Sequence, residues 1–390
     1  MERFSLGEFE FYWQVAQSGF SKLPNTLPFC FGTRHQLPYL LSRVVDAKDL
    51  EILRHMYTLE SNVGYLQESN SLGLAYGEDL RSKINLLRIS SESQFSRVPR
   101  PRILEIGCGG AAVLRQLSKG QMECFAIDPS PVAVKALSGS DVTLISDFYP
   151  NQLDGEQFDF LFCADVLEHV ADPLEFLVRC RENLVDEGML LVSVPDCTRS
   201  IEIGDVSMAL HQHLSYFNVS SLKRILEDAG FGQVSVEAAK YGGSLYGTGI
   251  RMHSESKRSS NLSGDDTLLN DFYKKAANSV AIVQQELRKC LNDYQTIGIY
   301  VPLRILPYLG VDDELRRAIS SFRLFDDTPT WQGKRVQEGL SPIENFSQLV
   351  NSPVSDLFVM SLTFGDTIAR RVSDLLGSKI SLRTLNSMII

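Results

Sequence analysis

The run Ile103–Gly110, Ile-Leu-Glu-Ile-Gly-Cys-Gly-Gly, is the first stretch of the chain with chemical content. A short apolar strand that ends in Gly107 and Gly109 turns tightly and lets a ligand approach the main chain with no side chain in the way. Glu105 stands two residues before the first glycine, so its carboxylate emerges near the strand end, where it suits an ammonium and repels a pyrophosphate. Cys108, between the glycines, and Cys163 read as small buried fillers. About twenty residues further on, Cys124–Ser130 puts Asp128 and Pro129 at the end of a second strand, where a carboxylate accepts both hydroxyl hydrogens of a ribose. Asp147 closes a third strand and is placed for an adenine amino group, with a turn cap as the alternative. Asp159–Val170 then gives a buried strand and a polar cluster, Ala164, Asp165 and Val166 through His169, lining the crevice beyond the strand ends.

Together these residues describe a pocket for a nucleoside joined to an amino acid, and S-adenosylmethionine is the cofactor they fit. Gly107-Cys-Gly109-Gly-Ala-Ala112 also matches the Gly-x-Gly-x-x-Ala dinucleotide fingerprint, with an acid at the right distance. Glu105 and the Asp165–His169 cluster favour the sulfonium cofactor; a nicotinamide or no cofactor stays as the alternative.

The elements that must hold these residues alternate strand and helix, the sign of a parallel sheet covered by helices. Strands are expected at 103–106, 124–127, 142–145, 158–164, 189–194, 234–239 and 245–250. Helices are expected at 111–117, 131–137, 174–184, capped by Gly188, and 220–229. Residues 1–97 read as a helical and irregular N-terminal region, with helices at 46–59 and 77–89 and a linker at 90–102. Beyond a polar run at 258–266 comes a long helix to about Tyr294, then a second strand-and-helix rhythm at 297–301, 322–325 and 357–360. The expected fold class is α/β: a Rossmann-like methyltransferase-type domain over 98–255, and a second Rossmann-like domain over 256–390.

Composition narrows the setting. Hydrophobic residues make up 44% and charged residues 22% of the 390, the balance of a globular protein. A net charge of −10 argues against a nucleic-acid partner, because gripping phosphates needs a basic surface. The seven cysteines are scattered with no Cys-x-x-Cys pair, which fits free thiols in a reducing compartment. The N-terminus has no apolar run of signal-peptide length, and no stretch approaches the roughly 18 apolar residues that span a bilayer. The expectation is a cytoplasmic protein with a small-molecule substrate and no membrane partner.

With these residues in place, the sequence resembles the class I S-adenosylmethionine-dependent methyltransferases. More narrowly it is similar to the sugar C-methyltransferases, which act on keto-deoxysugars attached to a nucleoside diphosphate. His211-Gln-His213-Leu-Ser-Tyr216-Phe217 is similar to that family's Tyr-His-Glu-His-Leu-Ser-Tyr-Phe stretch, and Tyr241-Gly242-Gly243-Ser244-Leu245 resembles its Gly-Gly-Ser-Leu-Arg element. The region 297–364 follows the course of the family's second Rossmann-like domain. The sequence departs from the family at Leu210, where it has Tyr, at Gln212, where it has Glu, and at Tyr246, where it has Arg. Only Cys30 precedes residue 100, so the family's four-cysteine zinc module cannot form.

The resemblance implies that His169 and His213, with His211 beside them, lie near the acceptor, and that Tyr65, Gln212, Gly243 and Ser244 contact the substrate. A neutral histidine can take a proton near pH 7, whereas the amide of Gln212 cannot. His211 and His213, two apart on an extended segment, face one side as a metal pair would, but no third ligand is evident and no metal is expected. Three functions follow: C-methylation of a nucleotide-linked sugar with altered base chemistry, O- or N-methylation of a related sugar or biosynthetic intermediate, or a catalytically silent scaffold. The C-terminal region has no Gly-x-Gly loop after its first strand, and is expected to shape the acceptor pocket or to form a homodimer.

Overall fold

The computed structural model describes residues 3–18, 23–59, 71–241, 243–253, 266–293 and 295–390. The chain divides into two compact units, one of Met1–Asp49, Cys197–His213 and Asp265–Ile390, the other of Leu50–Asp196 and Leu214–Gly264.

The first unit opens with three antiparallel strands, β1 (Phe4–Glu10), β2 (Thr26–Arg34) and β3 (Leu37–Arg43). This corrects the expected helical N-terminal region: among the described residues before residue 97, the longer helices are Ala47–Met56 and Ser71–Ser90. The reason is a period-two pattern, in which Leu27, Phe29 and Phe31 point inward while Pro28 and Cys30 do not. Arg43 is fully buried, with its guanidinium 2.6 Å from Asp49 and 3.0 Å from the Pro28 carbonyl.

The second unit is built on a seven-stranded sheet. Its strands are β4 (Arg102–Ile106), β5 (Glu123–Ile127), β6 (Thr143–Ile145), β7 (Phe158–Ala164), β8 (Leu184–Pro195), β10 (Phe231–Ala238) and β11 (Ser244–Arg251); a two-residue strand, β9 (Ser215–Tyr216), lies between β8 and β10 in the chain. The order is β10-β11-β8-β7-β4-β5-β6, with β4 to β8 mutually parallel and β11 antiparallel to both neighbours. Phe158, Phe160, Leu161, Phe162 and Cys163 of β7 are all buried, as a strand covered by helices on both faces requires. The helix Pro131–Leu137 starts on Ser130, whose hydroxyl accepts from the Ala133 amide, and Pro173–Glu182 starts on Asp172, which accepts from Glu175. That second helix closes at Asn183, and Gly188 lies inside β8 instead of capping it. The Asn183 main-chain amide donates to the Arg179 carbonyl and closes the helix, while its side chain donates to the Leu153 and Glu156 carbonyls and ties the helix end to the loop before β7.

The remainder of the first unit follows the long helix Asp266–Asn292. Strands β12 (Ile297–Tyr300), β13 (Arg323–Phe325), β14 (Ile343–Glu344), β15 (Asp356–Val359) and β16 (Ser381–Thr384) are all parallel, in the order β14-β13-β12-β15-β16. The chain builds outward from β12 on one side and then crosses to the other, a Rossmann-like pattern with its switch point between β12 and β15. No described helix is long and apolar enough to cross a membrane.

Candidate active site

In the second unit, β4 lies between β5 and β7, so its carboxyl end is the point where the sheet's winding reverses and a crevice opens. Gly107 turns the chain there with φ of +71°, and a Cβ on it would stand 2.5 Å from Cγ2 of Val166. Val166 therefore packs directly against the main chain at Gly107. The Gly107 amide donates to the Ile127 carbonyl at 2.9 Å, tying the turn to β5. Glu105 is buried on β4, opposite Ala126 and Phe162. The Cys108 thiol is pushed well above its usual range by burial and by the carboxylates of Glu105 and Asp128, which keeps it protonated and unreactive.

Asp128 is buried at the end of β5 and clamps the turn: one oxygen accepts from the Gly109 amide and the other from the Ser130 amide, both at 2.8 Å. Each carboxylate oxygen has lone-pair capacity beyond one bond, so the clamp is compatible with ribose hydroxyls. Asp147 is engaged by its own loop, accepting from the Phe148 amide at 2.7 Å, Asn151 at 2.9 Å and Gln152 at 3.0 Å. The side-chain amides of Gln152 and Asn151 hold its carboxyl below the usual range. Pro129 leads from Asp128 into the helix cap at Ser130.

The segment after β7 gathers the polar groups. Ala164 ends the strand, and Asp165 adopts φ of +54°, unusual for a residue with a side chain, with its amide donating to Ser193 on β8 at 3.0 Å. A short 3-10 turn, Leu167–His169, then carries Glu168 and His169. The ring Nδ1 of His169 is 2.8 Å from the Tyr57 hydroxyl, and its Nε2 is 3.8 Å from Oε1 of Glu168. Glu168 is 1% exposed, and neither carboxylate oxygen has a hydrogen-bond partner among the described residues. Burial, and secondarily the nearby Asp165, raises its carboxyl well above the usual carboxylate range.

Sequence reasoning passed over both Tyr57 and Glu168. The signal for Glu168 was an acid set in Val-Leu-Glu-His-Val, a run otherwise suited to burial. Tyr65, the tyrosine expected from the resemblance, lies outside the described residues, as does Gly242.

The helix Ser71–Ser90 is fastened over the other side of the cleft. Tyr76 donates to the Ser193 hydroxyl at 3.0 Å, Asp79 accepts from the Tyr241 amide and the Tyr246 hydroxyl at 3.1 Å each, and Lys83 pairs with Glu237 at 2.6 Å. Gly243, with φ of +76°, and Ser244 close the β10–β11 hairpin: the Gly243 carbonyl accepts from Asp196 at 3.0 Å and that of Ser244 from Ala239 at 2.8 Å.

His211, Gln212 and His213 belong to the first unit. His211 is 2% exposed among Phe9, Phe11 and Phe29, and its Nε2 lies 2.9 Å from the Leu27 carbonyl. A carbonyl only accepts, so Nε2 carries the proton and the ring is neutral; burial depresses its pKa to about 3. The His213 amide donates to Leu210 at 2.9 Å. The next residue in the chain, Leu214, belongs to the second unit, where its amide donates to the Glu168 carbonyl at 2.6 Å.

Residues 76–236 match a family model described as a methyltransferase domain, and they form a methyltransferase domain of the S-adenosylmethionine-dependent kind. The chain is similar to the ubiquinone biosynthesis O-methyltransferase of Actinobacillus pleuropneumoniae serotype 7 (strain AP76), 34% identical over 104 residues, 24% of this chain and 44% of that protein. It is also similar to the ubiquinone biosynthesis O-methyltransferase of Rickettsia conorii (strain ATCC VR-613 / Malish 7), 23% identical over 194 residues, 46% of this chain and 66% of the relative. The match thus spans less than half the length of the first of these curated relatives. Among solved structures, magnesium protoporphyrin IX methyltransferase from Synechocystis PCC 6803 with bound S-adenosylhomocysteine aligns at a TM-score of 0.39 and 16% identity, over 52% of this chain and 99% of that one.

The residues of the crevice fit the cofactor. A side chain is excluded at Gly107 by the approach of Val166, which keeps the turn tight, and the two acids, Glu105 and Asp128, match an ammonium and a ribose diol in charge and hydrogen-bonding capacity.

Proposed function

We propose that the chain methylates a small-molecule hydroxyl, with Tyr57, His169 and Glu168 removing the acceptor's proton. The observation that carries this reading is the line of three groups from a partly exposed phenol, through an imidazole at 2.8 Å, to a buried carboxylate at 3.8 Å from the ring. When bound, the cofactor supplies a methyl group on a sulfonium; its transfer to oxygen leaves a neutral thioether and one proton. Gly107, Gly109 and Asp128 hold the nucleoside, with Asp147 and Phe148 at its adenine end, and Glu105 faces the ammonium.

The Tyr57 oxygen takes the acceptor's proton as its own hydrogen passes to Nδ1 of His169, and the imidazolium so formed faces the Glu168 carboxylate. His211, neutral and bonded to the Leu27 carbonyl, takes no part in proton transfer. The names of the relatives, both O-methyltransferases, support oxygen as the atom methylated. A second reading, C-methylation of a nucleotide-linked keto-sugar, is favoured by the 211–217 and 241–245 segments; the amide of Gln212 in place of the family's acid counts against it.

The test supplies methyl-labelled cofactor with a panel of phenols and nucleotide-linked sugars, and locates the new methyl carbon by NMR. His169→Ala and Tyr57→Phe are expected to lose about 10²–10⁴-fold in turnover while binding S-adenosylhomocysteine normally. The carboxylate must be ionised to face the imidazolium, so turnover rises with pH through the raised titration of Glu168, and Glu168→Gln removes that limb. Undiminished turnover in His169→Ala would exclude the relay, and a methyl on carbon would favour the second reading. Cofactor binding with no turnover on any acceptor would leave a scaffold.

A further inference from the structure

The last turn of the helix Ala47–Met56 and the residue just beyond it reach two ends of the crevice at once. Tyr57 meets His169, which follows β7, with 2.8 Å between its hydroxyl and Nδ1. Arg54, three residues earlier, lies over the ring of Phe148, which follows β6, with its guanidinium carbon 4.7 Å from the ring centroid. The strands stand in the order β7-β4-β5-β6, so β7 and β6 are three spacings apart, about 14 Å. The segment 54–57 therefore crosses the carboxyl ends of β4 and β5, the strands that lead into Gly107 and Asp128.

The side of the crevice at β6 is short of a donor for a base. Adenine carries one donor, its amino group, flanked by ring nitrogens that only accept. Asp147 accepts from the Phe148 amide and from the Asn151 and Gln152 side chains, and keeps capacity for one further donor such as that amino group. The main chain beside it is already engaged: the Phe148 amide donates to Asp147, and the Phe148 carbonyl accepts from the Asn151 amide at 2.9 Å. Arg54 is exposed, and its guanidinium has no hydrogen-bond or ion-pair partner among the described residues. Its charge also reaches Asp147, adding to the hydrogen bonds from Gln152 and Asn151 that keep that carboxyl ionised.

We infer that Arg54 is a cofactor-recognition residue, whose guanidinium donates to an adenine ring nitrogen flanking the amino group that Asp147 accepts from. This rests on the cofactor reading proposed for the crevice, and adds to it the group that answers the acceptors of the base. A guanidinium suits the place, since it lies on an aromatic face while presenting N–H groups at its edge. An acid and a guanidinium side by side then match the alternation of donor and acceptor along the edge of adenine.

The test titrates S-adenosylhomocysteine and its 1-deaza and 7-deaza analogues, each lacking one flanking ring nitrogen, into the full chain and into Arg54→Met. Methionine keeps an apolar stem over Phe148 and lacks the N–H groups. One analogue is expected to bind the unaltered chain about tenfold more weakly than S-adenosylhomocysteine. Arg54→Met should weaken S-adenosylhomocysteine by the same factor and no longer distinguish it from that analogue. Arg54→Lys, which restores charge and donors, should recover part of the loss. Thermal melts show that each variant is folded. Equal affinity of the unaltered chain for all three ligands, unchanged binding in Arg54→Met, or an analogue penalty that persists in it would overturn the inference and leave the cofactor reading standing. No binding of S-adenosylhomocysteine by the unaltered chain would overturn both.

Discussion

At the scale of single residues, the crevice depends on a position where a side chain is excluded as much as on positions where one is required. Gly107 combines a left-handed φ with a 2.5 Å approach to Val166, so Gly107→Ala must both strain the backbone and displace a neighbour. Cofactor affinity is expected to fall at least tenfold in Gly107→Ala. It should be partly restored in Gly107→Ala/Val166→Ala, where the clash is gone and a backbone cost of about 1–3 kcal/mol remains. Titration with S-adenosylhomocysteine across the two single variants and the double one checks this; no recovery in the double variant would mean that the Val166 contact is not the cause. Glu105, Gly107 and Asp128 were legible in the sequence because strand, glycine turn and acid follow one another along the chain. Glu168 and Tyr57 were not, because they meet His169 only after the 3-10 turn at 167–169 has closed and the segment before residue 59 has folded against it.

At the scale of elements, the parallel strands were readable to within a few residues, since each is a short apolar run between turn signals. The N-terminal strands were missed although Leu27, Phe29 and Phe31 alternate cleanly, because Pro28 and Pro38 within the strands and the polar turn at His35-Gln36 resemble irregular chain. The helix Ser71–Ser90 runs through Gly77, which had marked its expected start; what holds it is its bonding to the sheet through Tyr76, Asp79 and Lys83. Asp79 is the central fastening, accepting from a main-chain amide and a phenol. Asp79→Ala is expected to cost about 1–3 kcal/mol and to speed amide exchange along 75–90 before the rest of the sheet is affected. Exchange that stays uniform across the second unit would show that the helix does not open separately.

At the scale of the molecule, the expected sequence of three regions gives way to two units whose segments interleave along the chain. Residues 197–213 leave the second unit after β8 and return to it at Leu214, carrying His211 and Gln212 into the first unit. A cut near Arg258 therefore removes only part of the first unit and strands 1–49 and 197–213 without the rest of their core, so such a truncation reports on folding before it reports on acceptor binding. The second parallel sheet was foreseen from its strand rhythm.

The central claim is that the crevice at the end of β4 holds S-adenosylmethionine through Glu105, Gly107 and Asp128. Its most direct test is calorimetric titration of the full chain with S-adenosylhomocysteine, with NADH as the comparator and Asp128→Ala as the variant. The account predicts binding of S-adenosylhomocysteine alone, lost in Asp128→Ala. Binding of NADH alone, or of neither, would contradict it.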